Sequence, residues 1–242
     1  MTRSVARSIP ALALLASSLL LGCGGEAGGT NAQVAESTPV EEAGRGRGMQ
    51  AQSEIGGLNA EDVDKVFARS LGALQACLEE GASRVELLGG AVDFFLKIDA
   101  DGRIAHAHLE RSTLGDRDTE RCMLAALRAK TWPKPIGGTT GLARKGFEFD
   151  PPKDVRPPTD WDPAEVQETV SQLEEALTAC KDGASGSFEA TAYVDTDGSV
   201  LAAGVTPPDE AGEASVDCLV GVLKEAKFPT PGSWPAKVTF SL

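Results

Sequence analysis

Apolar and polar positions alternate in two stretches of the chain, and the surroundings of the two stretches match. Val92, Phe94, Leu96 and Ile98 share one side of a period-two pattern whose other side holds Asp93, Phe95 and Lys97. Phe188, Ala190, Ala192 and Val194 repeat that side, opposite Glu189, Thr191 and Tyr193. Such a period predicts a half-buried strand. Each run meets Asp-x-Asp-Gly, at Asp99 to Gly102 and Asp195 to Gly198, then a second apolar run, Ile104 to Leu109 or Val200 to Val205. Asp-Gly between such runs predicts a hairpin.

Helical spacing flanks both hairpins. Upstream, Val63, Phe67, Leu74 and Cys77 follow Asn59 as N-cap with Asp62 at the third helical position. In the second copy Asp162 is the cap, Pro163 takes the first position, Glu165 completes a capping box, and Val166, Val170, Leu173, Leu177 and Cys180 form the stripe. Downstream, Cys122, Met123, Ala126 and Leu127 form a buried stripe capped near Asp116; Cys218, Leu219, Val222 and Leu223 form one capped near Ser215. Both of these helices should stop at Trp132-Pro133-Lys134-Pro135 or Phe228-Pro229-Thr230-Pro231, because the residue before proline is pushed out of the α region. A last strand closes each copy, Lys145 to Phe149 or Lys237 to Leu242.

At a fixed offset of 96 positions Gly90 falls on Gly186, Asp99 on Asp195, Gly102 on Gly198, Cys122 on Cys218, Trp132 on Phe228 and Pro135 on Pro231. Two copies of one unit follow from this. The expected fold class is α+β: two tandem α-β-β-α-β modules, each a small three-stranded antiparallel sheet with two helices on one face. Residues 57–150 are the first module, 151–161 a stiff proline-rich linker and 162–242 the second module.

The first 22 residues read as a secretory signal: Arg3 and Arg7, then an apolar run from Ala11 to Leu21 too short to span a bilayer. Leu20-Leu21-Gly22-Cys23 has the form of a bacterial lipobox, so cleavage and lipidation are expected at Cys23, with the membrane held through the lipid anchor. Gly24 after the cysteine favours the outer membrane by analogy with lipoprotein sorting. Residues 23–56 read as a flexible tether without apolar periodicity. Loss of Arg3 and Arg7 takes the formal net charge from −13 to −15, which disfavours nucleic acid as a partner.

The four remaining cysteines allow three pairings. Because each module brings its own pair, Cys77 with Cys122 and Cys180 with Cys218 are the expected disulfides, which an exported chain can retain. Two pairs of small buried thiols are the other reading.

The order helix, strand, Asp-Gly turn, strand, helix, Trp/Phe-Pro-x-Pro, strand resembles the TonB C-terminal domain. In the first copy Arg111-Ser112-Thr113-Leu114-Gly115, Ala125-Ala126-Leu127 and Trp132-Pro133 are similar to that family's motifs. The cysteine pair and leading helix bring it closer to the AgmX/PglI-type C-terminal domains of myxobacterial envelope proteins. The resemblance implies a non-enzymatic module that binds an envelope protein. It does not extend to force transduction, which needs a spanning anchor where this chain has a lipobox.

Candidate chemistry changes little. His106 and His108, two apart on a strand, share a face; with Ile104, Ala107 and Leu109 inward across a bulge, both point to solvent and are weak metal candidates at best. The Asp-x-Asp-Gly turns open like a calcium loop, but its twelfth position is Glu110 in one copy and Thr206 in the other. No nucleophile recurs with a base in both copies and no phosphate-binding glycine loop follows a strand, so the chain reads as no enzyme, with no cofactor. A three-stranded sheet covered on one side leaves a face and two edges, and Phe95, Lys97, Thr191 and Tyr193 on the outer faces are the partner-contact candidates; equally, the two sheets pack on each other through those faces or the faces stay solvated.

Overall fold

A computed structural model describes residues 51–242, with side chains from residue 57 onward. The signal segment, Cys23 and the tether as far as residue 50 lie outside the described residues, and the described ones belong to one compact unit. The fold is α+β, with two four-stranded sheets. The first half contains β1 (Ala51–Gly56), α1 (Ala60–Ala82), β2 (Gly90–Asp99), β3 (Ile104–Ser112), α2 (Arg117–Arg128) and β4 (Thr140–Phe149). Its strands lie in the order β1-β4-β2-β3, every pair antiparallel. The second half contains β5 (Thr159–Asp160), α3 (Gln167–Gln172), α4 (Glu174–Lys181), β6 (Glu189–Val194), β7 (Val200–Thr206), α5 (Val216–Glu225) and β8 (Ala236–Ser241). Its order is β5-β8-β6-β7, with β5 parallel to β8.

Local chemistry sets the helix starts. Asn59 accepts from the Asp62 amide at 3.0 Å, Asp162 from the Ala164 amide at 2.9 Å, and Asp116 from the Thr119 hydroxyl at 2.6 Å. Val92, Phe94, Leu96 and Ile98 are all fully buried against α1 and α2, as period two requires. Phe67 of α1 sits edge-on to Trp132, ring centres 4.9 Å apart, and Phe147 lies 5.9 Å from both Phe67 and Phe94. Such aromatic pairs contribute ~1 kcal/mol each beyond the area they bury.

One contact explains why the two copies keep the same widely separated residues. Trp132 N–H donates to the Gly102 carbonyl at 2.8 Å, and Phe228 N–H to the Gly198 carbonyl at 2.9 Å. Each Asp-Gly turn is therefore bonded to the aromatic-proline segment after the second helix. Gly102 and Gly198 have φ of +79° and +85°, and a Cβ at either would strike the carbonyl of Trp132 or Phe228. Cys77 is bonded to Cys122, and Cys180 to Cys218, with Cα separations of 5.7 and 5.5 Å. The first joins α1 to α2 and the second joins α4 to α5.

Several expectations need correction. Each sheet has four strands, not three. Ala51–Gly56, assigned to the tether, pairs antiparallel with β4, and Thr159–Asp160 of the linker pairs with β8. Main-chain pairing at a sheet edge needs no apolar stripe, so polar composition did not reveal it. The linker is also docked: the Trp234 indole donates to the Pro157 carbonyl at 3.0 Å and Arg156 lies over that ring. The single helix expected from Asp162 to Cys180 is a 3₁₀ turn, α3 and α4, broken at Leu173. Ser215 holds the N-cap position of α5 but its side chain makes no capping bond; its hydroxyl donates to the Lys181 carbonyl, and Asp209 accepts from the Gly212 amide at the start of a 3₁₀ turn. The buried stripe of α5 is Val216, Leu219, Val220 and Leu223, leaving Cys218 exposed at its margin. Helix α2 ends at Arg128, ahead of Trp132-Pro133, because the intervening chain must turn to reach Gly102.

Replacing Gly198 with alanine should cost more than ~1 kcal/mol, through both the left-handed backbone and the clash with Phe228; a denaturant midpoint unchanged from wild type would refute the docking role of the turn. Removing Cys180–Cys218 by a double alanine substitution should destabilise by ~2–5 kcal/mol, read as a lowered thermal midpoint that reductant no longer shifts as far as in wild type.

Candidate functional site

Two features stand out, a seam between the halves and an open strand edge. At the seam the outer face of the second sheet packs on the end of the first half where β2 begins and β3 ends. Tyr193 is fully buried there. Its hydroxyl donates to the Gly89 carbonyl at 3.0 Å and accepts from the Gly89 amide at 3.2 Å. Lys237 Nζ donates to the same carbonyl at 2.7 Å and lies 5.4 Å from the Tyr193 ring. Beside them the Ser112 amide donates to Thr206 Oγ1 at 3.1 Å, and the Thr191 hydroxyl to the Ser112 carbonyl at 3.4 Å. At the rim Arg117 bonds Asp217 at 2.7 Å and Glu213 at 3.2 Å.

Desolvation dominates the titration of this region. It lowers the Lys237 ammonium to about 8, against the opposing charge of Asp160. It raises the Tyr193 phenol well above its ordinary value, despite the hydrogen bond with Gly89. Glu120 of α2, completely buried, is pushed up to about 7, chiefly by burial.

The predicted contact residues divide accordingly. Thr191 and Tyr193 are buried in the seam, because the first half covers that face; of the two readings of the outer face, packing holds for this pair and partner contact does not. Phe95 and Lys97, the equivalent pair in the first copy, stay half-buried. Phe95 packs under the Arg144 guanidinium at 4.9 Å and against His108, and Lys97 lies 3.7 Å from Glu210 of the second half. His106 and His108 do not both face solvent: His108 is 5% exposed, and its Nδ1 is 3.0 Å from His106 Nε2. Burial and the neighbouring ring push the His108 pKa down. The bulge expected in β3 is present, as register shifts at both ends of its pairing with β2. Among the described residues no group of three or more His, Cys, Asp or Glu is placed to hold a metal. The Asp-Gly carboxylates bond the turns themselves; Asp99 accepts from the Asp101 and Arg103 amides, and Asp197 from Ser199.

Among the described residues the open edge belongs to β8. In the first sheet the matching strand, β4, is paired along its outer side with all six residues of β1, from Ala51 opposite Phe147 to Gly56 opposite Leu142. Only two residues of β5 pair with β8, opposite Ala236 and Lys237. Leu242 N–H donates to the Phe188 carbonyl, toward β6, while the Lys237 carbonyl accepts from Trp161 on the outer side. Alternation along the strand then turns the N–H and C=O groups of Thr239 and Ser241 outward, beyond the reach of β5. Beside this edge lies a groove of about 290 Å³ between α3, α4 and the end of β8, lined by Val170, Glu174, Leu177, Lys181, Ser241 and Leu242 among others.

Glu120 and Lys237 were not singled out from sequence. A signal existed for Glu120: it precedes Met123 and Leu127 at helical spacing, and offset 96 places it on Val216. An acid on an apolar stripe, apolar in the other copy, marks a special environment. For Lys237, an ordinary lysine in a strand, no such signal was present.

Tyr193→Phe should destabilise the chain by ~1–3 kcal/mol, since it leaves Gly89 short of a buried partner. Denaturant unfolding measures this, and a neutral result would mean that water replaces the phenol. No protein-family model matches the chain, nor does any curated protein or solved structure.

Proposed function

We propose that the chain is a lipid-anchored cell-envelope protein, held by Cys23 to the outer membrane, and that it binds an extended segment of another envelope protein without catalysing a reaction. The supporting observation is the contrast between matched edges. β4 is filled by six residues of the chain's own β1, while the outward groups of Thr239 and Ser241 on β8 have no strand partner among the described residues. An edge of this kind takes an added strand through main-chain bonds, and pockets beside it select side chains. The groove lined by Val170, Leu177 and Leu242 is such a pocket, and Glu174 and Lys181 at its walls offer one charge of each sign. The resemblance to TonB C-terminal and AgmX/PglI-type domains points the same way. The two disulfides suit an oxidising compartment outside the cytoplasm.

Phe95 and Lys97 are secondary contact candidates, since Arg144 and Glu210 already engage them. Thr191 and Tyr193 are not proposed as contacts of the docked molecule. No metal role is proposed for His106 and His108, which bond each other.

Ser241→Pro removes one outward amide without touching the bonds to β6, and an edge strand tolerates proline. A photo-crosslinker at Thr178, in the groove wall, should capture a partner in intact cells from the wild-type background, and Ser241→Pro should reduce that capture at least tenfold at equal protein level. Equal capture by the variant would exclude strand addition, and no capture in either would favour a passive structural lipoprotein.

A further inference from the structure

Glu120 occupies the middle of the seam. Ser112 Oγ donates to its Oε1 at 2.6 Å, and its Oε2, buried, has no hydrogen-bond partner. The Gly115 amide supplies one further backbone interaction. Across the seam stands Gly204 of β7, whose lack of a side chain leaves the space the carboxyl occupies: a Cβ there would lie 2.6 Å from Oε1. The carboxyl group is thus enclosed by the second half, and separating the halves is what would give it water.

Charges around it do not neutralise it. At the N-cap of its own helix Asp116 adds like charge and is itself bonded to Arg84 at 2.7 Å. Arg117 attracts it through space, but that guanidinium is bonded to Asp217 and Glu213 of the second half. Arg121, one turn from Arg117, lies 3.8 Å from Asp217. From β3 and β7 come the uncharged Ser112, Gly204 and Thr206, and from β6 comes Tyr193, a phenol that the Glu120 charge helps to keep protonated. Lys237 on β8 is bonded to Gly89. A carboxylate here has one hydroxyl donor and a backbone amide where water would satisfy both oxygens, so ionisation without opening is costly.

We propose that Glu120 is a proton-controlled latch between the halves: protonated, it leaves the second sheet docked on the first half, and ionised, it favours opening of the seam, which uncovers the sheet face around Thr191 and Tyr193. The latch requires no strand added at β8.

The direction follows from linkage. Docked, the carboxyl is pushed up to about 7; open to water it returns toward the ordinary 4.5. Between these values the docked form holds more protons, so docking is strongest below 4.5, weakens as pH rises through the interval and levels off above 7. From pH 5.5 to 7.5 the ratio of open to docked molecules should rise roughly 20-fold. Lys237, lowered to about 8, has the opposite effect, but mainly above this window.

Two amides report the seam directly, because their partners lie across it: Ser112 N–H on Thr206 and Gly89 N–H on Tyr193. Hydrogen exchange of the full chain, expressed as protection relative to intrinsic rates, should show both losing roughly 20-fold in protection from pH 5.5 to 7.5, while the Leu96 amide in the centre of the first sheet does not change. Glu120→Gln should abolish the pH dependence, and His106→Asn, which removes the imidazole 3.6 Å from Glu210 of the second half, should leave it intact. Should Glu120→Gln fail to fold, the ¹³C carboxyl resonance of Glu120 in the wild type decides: titration in step with the loss of protection supports the latch. Unchanged protection in the wild type, the same loss in Glu120→Gln, its disappearance in His106→Asn, or a carboxyl titrating near 4.5 would each overturn it.

Discussion

Burial of the second sheet's outer face against the first half is the constraint on which the rest of the structure depends. Each half alone is too small to bury much apolar surface. Each is tied by a disulfide between its helices, and each seats its Asp-Gly turn on an aromatic-proline segment. Those devices hold a half together but leave a sheet face uncovered. Tyr193 and Ala202 cover that deficit by joining the apolar core of the first half, and Gly89 bonds the phenol through both its amide and its carbonyl. The seam is directional, since hydrogen bonds to Gly89 and Ser112 fix where the second sheet sits.

Docking also accounts for the way the copies have diverged. Positions that are His106 and His108 in the first copy are Ala202 and Gly204 in the second. The small residues are where the second sheet meets the core and Glu120; the imidazoles stand beside Phe95 of the first sheet and Glu210 of the second half. Likewise Glu120 and Val216 occupy equivalent places, one facing a seam and the other an ordinary core. Differences between copies therefore map the seam better than their similarities do.

Much of this was legible because it is written in local periodicity. The strands, the caps at Asn59, Asp116 and Asp162, and the cysteine pairs all follow from spacing and from the repeat. What escaped depends on long-range pairing. Ala51–Gly56 and Thr159–Asp160 join sheet edges through main-chain groups that carry no side-chain signature. Alternation correctly placed Thr191 and Tyr193 on the outer face, but whether a face meets water or another sheet is not a property of one strand. The break at Leu173 has no evident cause in the helical pattern, which continues through it.

The seam and the open edge meet on a single strand. Lys237 and Thr239 of β8 point their side chains inward to the seam, to the Gly89 carbonyl and to Thr191, while their backbone faces outward, Lys237 toward β5 and Thr239 toward the edge that no described strand fills. A strand laid along the rest of β8 would restrain the residues that hold the halves together. Because coupling between two binding equilibria is reciprocal, an ordered edge that favours a closed seam requires that a closed seam favour an ordered edge. β8 is thus the physical element through which occupancy at one place can be felt at the other, with no rearrangement of either core.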